Sequence, residues 1–395
     1  MLPRCIALVG PASPADLADL LSGADASVAT QTPGYRGVPT TDLARALIDR
    51  GLSVDVVTTA REVDDPTVLE GPHLRVMIAP LRDRARDRAK DLFARERAAI
   101  ERLLRSSGAE LVHAMWTYEF AWAAQSDGRP AVVTAHDAPL TVLRQMRDSY
   151  RAVRTAMAYM TRARIRHLTA VSPYLADRWR REMLYRGPIT VIPNMVLNPP
   201  NSSGSRALER SLLDISDAGR SKNIPALIEA FALIRRERPQ LILDLVGPGL
   251  GGTGEIAQWA RTAGQADGVR FRGVLDRAGV AAALAGACVF VHPSREESFG
   301  LSIVEAMAAG VPVVAGGTSG AVPWVLGGTG LLVDVDKPKE IADAVRNLLD
   351  DSSLSADLAA QARQRALETF SPEIVADAYL ETYDRVLSVS ARRAA

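Results

Sequence analysis

Glu297 and Glu305 are separated by seven residues inside the stretch HPSREESFGLSIVEAMAAGVPVV, which starts at His292. Glu305 stands among Ile303, Val304, Ala306, Met307 and Ala308, where burying an unpaired carboxylate costs on the order of several kcal/mol. It therefore needs hydrogen-bond donors, and a ribose diol supplies two. The apolar run 288–291 predicts a buried strand, 293–299 its carboxyl-terminal loop, 301–309 a helix, and Gly310 a left-handed terminator before a second strand. Such a βαβ unit places ligands at the carboxyl ends of its strands. The amides of Gly300 and Leu301 begin the helix, and a helix start favours an anion such as phosphate.

The pattern PSxxExFGLxxxEAMAxGxPVV resembles the retaining glycosyltransferases of the GT-B fold, the family-four (glycosyl transferases group 1) type. The resemblance implies that Glu297 contacts hydroxyls of a donor hexose. It also implies that Ser298, Phe299, Gly300 and Leu301 hold sugar and diphosphate through their backbone, and that Glu305 grips the ribose. His136, in VVTAHDAPL, occupies the place of a family histidine that approaches the donor sugar; Asp137 either orients its imidazole or caps the next turn. Lys222 aligns with the family lysine that neutralises donor phosphates. The family arginine expected five residues before it is Asp217 here; either Arg220 substitutes from a rearranged loop, the favoured reading, or leaving-group stabilisation is weaker than usual. A further departure is Trp324, where a glutamate is common.

VGPGLGG, with Gly247, Gly249 and Gly252, fits a dinucleotide spacing by itself. No acid ends the next strand, so the stretch is read as the family's glycine-rich loop near the donor. The base-binding loop then falls at Arg272, Gly273 and Val274, acting largely through main chain. Asp334 and Asp336 form a DxD, but no His or Glu clusters with them, and the expectation is a polar turn with no metal.

Residues that act together must be positioned by a scaffold, and the chain has room for two. At 395 residues it exceeds one compact core. Short β-rich runs at 6–9, 54–58, 74–78, 111–113, 131–134, 167–171 and 190–192 predict one Rossmann-like wind; runs at 241–246, 269–272, 288–291, 313–315 and 331–333 predict another. The expected division is an acceptor-binding domain over 1–197, a linker at 198–205, a nucleotide-sugar domain over 206–370, and a final helix and tail over 371–395. That helix starts at Ser371 and Pro372 and is expected to reach about Ser388 and to pack back on the first domain. The segment 22–39, with Tyr35, Arg36 and Gly37, is long enough to serve as a mobile acceptor lid.

Composition excludes other classes. A net charge of +1 argues against nucleic acid as a partner, and two cysteines, Cys5 and Cys288, exclude a disulfide framework. The start of the chain reads as no signal peptide, and no window approaches a membrane span, which points to the cytoplasm. In 81–105, acids recur among arginines at helical spacing and predict one solvated, ion-paired helix. Between Arg144 and Arg186, eleven arginines face three acids. Either they are ordinary surface arginines, the favoured reading, or they touch anionic lipid at the inner membrane face or a phosphorylated acceptor.

The function expected is retaining, metal-independent hexosyl transfer from a nucleotide sugar, UDP- or GDP-linked, to a sugar, lipid-linked or small-molecule hydroxyl acceptor. No resident cofactor is implied. Two alternatives stay open: a nucleotide-sugar epimerase or hydrolase of the same fold, and a non-catalytic nucleotide-sugar sensor.

Overall fold

The computed structural model describes residues 3–35, 37–197 and 211–394. The chain forms two compact units. One comprises the chain up to Met195 together with the segment from Pro372 onward; the other is Val196–Ser371. The segment proposed as a linker, 198–205, lies outside the described residues.

In the first unit, β1 (Cys5–Val9), β2 (Ser53–Ala60), β3 (Thr67–Glu70), β4 (Leu74–Pro80), β5 (Leu111–Ala114), β6 (Ala131–Ala135), β7 (Leu168–Ala170) and β8 (Ile189–Val191) form one sheet in the order β3-β4-β2-β1-β5-β6-β7-β8. Every pairing is parallel except β3 with β4. Strands buried on both faces read as continuous apolar runs, and β1, with Ile6, Ala7, Leu8 and Val9 fully buried, is of that kind. β3 was not anticipated. It is a four-residue edge strand with Val68 exposed, too short and too polar to register as a buried run.

The second unit holds β9 (Ser211–Ile215), β10 (Ile242–Val246), β11 (Val269–Gly273), β12 (Ala287–His292), β13 (Val313–Gly316) and β14 (Leu331–Val333), all parallel, in the order β11-β10-β9-β12-β13-β14. The wind runs outward from β9 to β11, then returns to place β12 on the other side of β9. The crevice at the carboxyl ends of β9 and β12 is thus a topological switch point, where open sheets of this kind bind ligands.

The helix Pro372–Ala394 belongs to the first unit, burying Val375, Ala376, Tyr379, Leu380, Tyr383 and Val386 in a cluster with Ile6, Leu43 and Leu47. It continues past the expected end at Ser388, because nothing between Ser388 and Ala394 is a Gly or Pro that would stop it.

Two other expectations are corrected. The segment 81–105 is two helices, Ala85–Lys90 and Ala94–Ser106, divided by Leu92 and Phe93 at φ of +53° and +58°. Phe93, Ile100 and Leu104 are buried, and so is Glu96, which accepts from Arg82 Nε at 2.8 Å and Nη2 at 2.6 Å. The expected ion pairs exist, but one of their acids lies in the core. The segment 22–39 is not one continuous loop: Gly23–Thr30 is helical and Val38 begins the next helix. Asp25 accepts from the Glu70 amide at 2.9 Å, and Ser22 donates to the Glu70 carbonyl at 3.0 Å. Gly37 packs so closely on Pro11 that an added Cβ would meet the Pro11 carbonyl oxygen at 1.9 Å.

Candidate functional site

The motif folds as its pattern requires. β12 ends at His292, a turn follows, and Leu301–Ala308 is helical with Gly300 at its N-cap. Gly310 ends it at φ +71°, a conformation glycine adopts without a Cβ clash, and the amide of Val311 returns to the Ala306 carbonyl at 3.0 Å. Ile303, Val304, Ala306, Met307 and Ala308 are buried, while Glu305 is partly exposed on the same helix rather than enclosed.

Glu297 is the centre of a charged chain. Lys222 Nζ donates to its Oε1 at 2.5 Å, and His292 Nε2 donates to the same oxygen at 2.8 Å. On the other side of the imidazole, Nδ1 lies 3.3 Å from Asp214 Oδ1; the second Asp214 oxygen accepts from Ser216 Oγ at 2.5 Å. Asp214 and His292 are 0% and 2% exposed at their side chains. Desolvation opposes every charge here, but each group gains an opposite neighbour. Asp214 and Glu297 together hold the His292 pKa up at about 9, Lys222 and His292 bring Glu297 down to about 2, and Glu297 raises Lys222. His292 and Asp214 were not singled out as site residues. The available signal was an acid in the short apolar run SLLDI and a histidine ending a strand.

The loops that carry these groups are joined. The Arg295 amide donates to the Ser221 carbonyl at 2.7 Å, Arg295 Nη1 to the Arg220 carbonyl at 3.1 Å, and the Ala321 amide to the Glu297 carbonyl at 2.9 Å. Arg220 offers its main chain to this arrangement, and its side chain is exposed. Asp217 accepts from the Gly219 amide at 2.6 Å and so shapes the turn before Arg220. Gly247 must be glycine: its φ is +135°, and a Cβ would lie 1.8 Å from the Ser216 carbonyl oxygen. Gly249 packs against Ala218 in the same turn. The Gly273 carbonyl accepts from the Gly247 amide at 2.8 Å, Arg272 pairs with Asp244 at 3.2 Å, and Val274 is exposed. Trp324 packs its ring edge-on against Phe370, centroids 5.9 Å apart, with Phe299 beside both. Asp334 accepts from Lys337 and from the Asp336 amide, each at 3.1 Å, and Asp336 pairs with Arg295 at 2.6 Å.

In the first unit, His136 directly follows β6. Burial pushes its pKa down to about 4, and its Nε2 has no partner among the described residues. Asp137 neither orients this imidazole nor caps a helix; it accepts from Trp116 Nε1 at 3.1 Å and the Tyr118 hydroxyl at 3.0 Å. Arg154, 6% exposed, sits 4.2 Å from the Trp116 ring centre and 3.9 Å from that of Tyr118. Tyr35 packs against Trp116 at 5.8 Å between centroids. A cavity of about 420 Å³ is lined by Gly34, Tyr35, Arg61, Glu62 and Leu81. Gly37 packs against Pro11, and Arg36 lies outside the described residues. Of the arginines from Arg144 to Arg186, Arg144 and Arg178 share Glu182, Arg181 pairs with Asp177, and Arg154 is buried against Glu119; Arg164, Arg166, Arg180 and Arg186 are exposed. Among the described residues, no helix is long and apolar enough to cross a membrane.

Residues 201–365 match the family model for glycosyl transferases group 1, and residues 38–196 that for glycosyltransferase family 4. The chain is 33% identical over 228 residues to D-inositol 3-phosphate glycosyltransferase of Streptomyces avermitilis, covering 53% of this chain and 49% of that one. A protein of the same name from Salinispora arenicola is 27% identical over 91% of this chain and 89% of its own. The matched region thus spans about half the length of the first relative and most of the second. Among solved structures, sucrose-phosphate synthase from Thermosynechococcus elongatus superposes with a TM-score of 0.78 at 24% identity, covering 98% of this chain and all of that one. Anabaena HepE, solved with UDP and glucose, gives 0.69 at 21%, covering 97% and 99%. These likenesses establish the GT-B fold.

Proposed function

Since this chain belongs to the glycosyl transferases group 1 family, we propose that it moves a hexosyl group from a nucleoside-diphosphate sugar to a hydroxyl acceptor. The observation that carries this reading is Glu297, buried at the switch point on Lys222 and His292, with Glu305 on the helix that follows. Glu297 Oε1 takes both cations, which leaves Oε2 to accept from sugar hydroxyls. Glu305 receives the ribose diol. The diphosphate lies at the start of the helix Leu301–Ala308, where backbone amides without intrahelical acceptors stabilise the charge that grows as the glycosidic bond breaks.

The proposed reaction proceeds with retention. The acceptor oxygen bonds to the anomeric carbon on the face the leaving group departs from, the carbon–oxygen bond to the diphosphate breaks, and the acceptor proton passes to the departing phosphate oxygen. Lys222 and the helix amides supply the positive charge, so the reaction needs no metal; Asp334 and Asp336 are already engaged by Lys337 and Arg295. His136, held neutral at physiological pH by burial, keeps an Nε2 without a partner among the described residues, which suits the role the family histidine has toward a sugar hydroxyl. The cavity beside Tyr35 and Arg61 takes a small polar acceptor. The relative named for D-inositol 3-phosphate and another named N-acetyl-alpha-D-glucosaminyl L-malate synthase, from Bacillus anthracis, support an acceptor of that kind.

Thermal-shift screening against UDP-, GDP-, ADP- and TDP-sugars tests the donor site, because a ligand bound by the folded state alone raises the melting temperature. A selective shift that vanishes in Glu305→Ala is expected and names the base. No shift with any donor in folded protein rejects the reading.

A further inference from the structure

We infer that His292 is a positioning residue for the proposed donor site: backed by the Asp214 carboxylate, its imidazole clamps Glu297 so that a single carboxylate oxygen, Oε2, remains for the sugar. The inference deepens the proposed function and rests on it. The geometry is specific. The pairing of Phe290 with Leu213 brings His292, at the end of β12, beside Asp214 on β9. The ring lies parallel to that of Phe290, with an interplanar angle of 8° and centroids 6.1 Å apart, which fixes its tilt. Its Nε2 then reaches Glu297 Oε1 at 2.8 Å while Nδ1 faces Asp214 at 3.3 Å.

Lys222 alone would be a poor clamp. A lysine ammonium is a point charge on a flexible stem, free to follow either carboxylate oxygen or an incoming phosphate. The imidazole approaches along a fixed direction set by a strand and a stacked ring, and it holds Oε1 whether or not Lys222 stays. The charged groups facing it are Asp214 on β9 and Glu297 in the loop after β12, with Lys222 beyond Glu297. An imidazolium with an acid on each side is attracted by both: Nε2 donates to Glu297, and Nδ1 faces the Asp214 carboxylate at 3.3 Å as an ion pair without a formed hydrogen bond. A neutral ring would leave one nitrogen lone pair facing a carboxylate.

Two measurements separate this inference from the function on which it rests. In ligand-free protein with nitrogen-labelled histidine, the five imidazoles can be assigned by loss of one signal in His292→Gln. His292 is expected to be doubly protonated at about pH 7.5, and its titration is expected to fall by at least about one pH unit in Glu297→Gln. A neutral His292 at that pH overturns the clamp whatever the protein binds. The second measurement follows donor affinity against pH in parent and His292→Gln, which keeps a hydrogen-bond donor but loses the charge. The acid limb is expected to move up by at least about one pH unit, because Glu297 loses a cation. A purely structural histidine would change the melting temperature and leave that limb in place, and this result too overturns the clamp. Asp214→Asn provides a second variant for the first measurement: the His292 titration is expected to fall there as in Glu297→Gln, because the ring loses an acidic neighbour. If the parent binds no nucleotide sugar, the proposed function fails, and the imidazole titration still decides the clamp.

Discussion

Each unit buries a histidine in a polar network, and the two are held in opposite protonation states. In the first unit, His113 Nδ1 lies 2.7 Å from the Tyr383 hydroxyl and Nε2 lies 2.6 Å from Thr134 Oγ1, which in turn meets Thr169 Oγ1 at 2.6 Å. Every partner is neutral, so burial acts unopposed and pushes the His113 pKa down to about 3. In the second, His292 lies between two carboxylates and its pKa rises to about 9. Burial is equal; the neighbours decide the sign. The difference suits two tasks. A neutral network ties the helix Pro372–Ala394 to β6, the strand that ends just before His136. A charged one holds an acid in place for a ligand.

The sharpest way to break this comparison is to remove each histidine's key contact. His292→Ala leaves Asp214 buried without its cation and is expected to destabilise by about 3–5 kcal/mol. Tyr383→Phe strips one neutral partner from His113 and is expected to cost about 1–3 kcal/mol. Denaturant midpoints check both, and a larger cost for Tyr383→Phe would end the comparison. On activity, Lys222→Met is expected to lower kcat by about 10²–10³-fold, the loss seen when one preorganised stabiliser of developing negative charge is removed.

The pH response sharpens the same contrast. The His292 contribution is complete below its unfolded value of 6.5 and is lost as pH rises through about 9; that of Glu297 is present above 4.5 and lost as pH falls through about 2. His113 runs the other way. Its folded pKa is depressed, so its neutral network supports stability above pH 6.5 and loses ground as pH falls toward about 3; His136, at about 4, adds the same direction. Hydrogen exchange resolved by segment should show protection falling toward acid around β5 and β6, and toward alkali around β9 and β12. Parallel slopes in the two units would contradict it. The smallest effect is expected from Arg181→Ala, whose pair with Asp177 is exposed and worth about 0.5 kcal/mol or less.

The segment from β12 to β13 was legible because its signals are local: an apolar run, a helix-starting turn, and a glycine at the terminator. β9 was not read. Its apolar core is only Leu212 and Leu213 before Asp214 interrupts, and an acid in a central strand argues against a strand until its partner is known. The same holds for Asp137, whose two readings both looked to chain neighbours, whereas its actual donors are Trp116 and Tyr118. The reading of 22–39 as one long loop missed the helix Gly23–Thr30 because it lacked the strand β3, to which Ser22 and Asp25 are bonded.

By itself the sequence determined the family, the two winds of strand and helix, and the chemical types available at the motif: two glutamates, a lysine and a glycine-rich turn. The winds follow from period, caps and spacing, which neighbouring residues settle among themselves, and the family follows from the resemblance of the motif around Glu297 and Glu305. Only the tertiary structure decided that Asp214 stands behind His292, that His292 and Lys222 share one oxygen of Glu297, and that one buried histidine is charged while another is neutral. The protonation of a buried group depends on the charges within a few ångströms of it. In a parallel sheet those charges come from strands distant in the chain, brought together by crossover and register rather than by anything local.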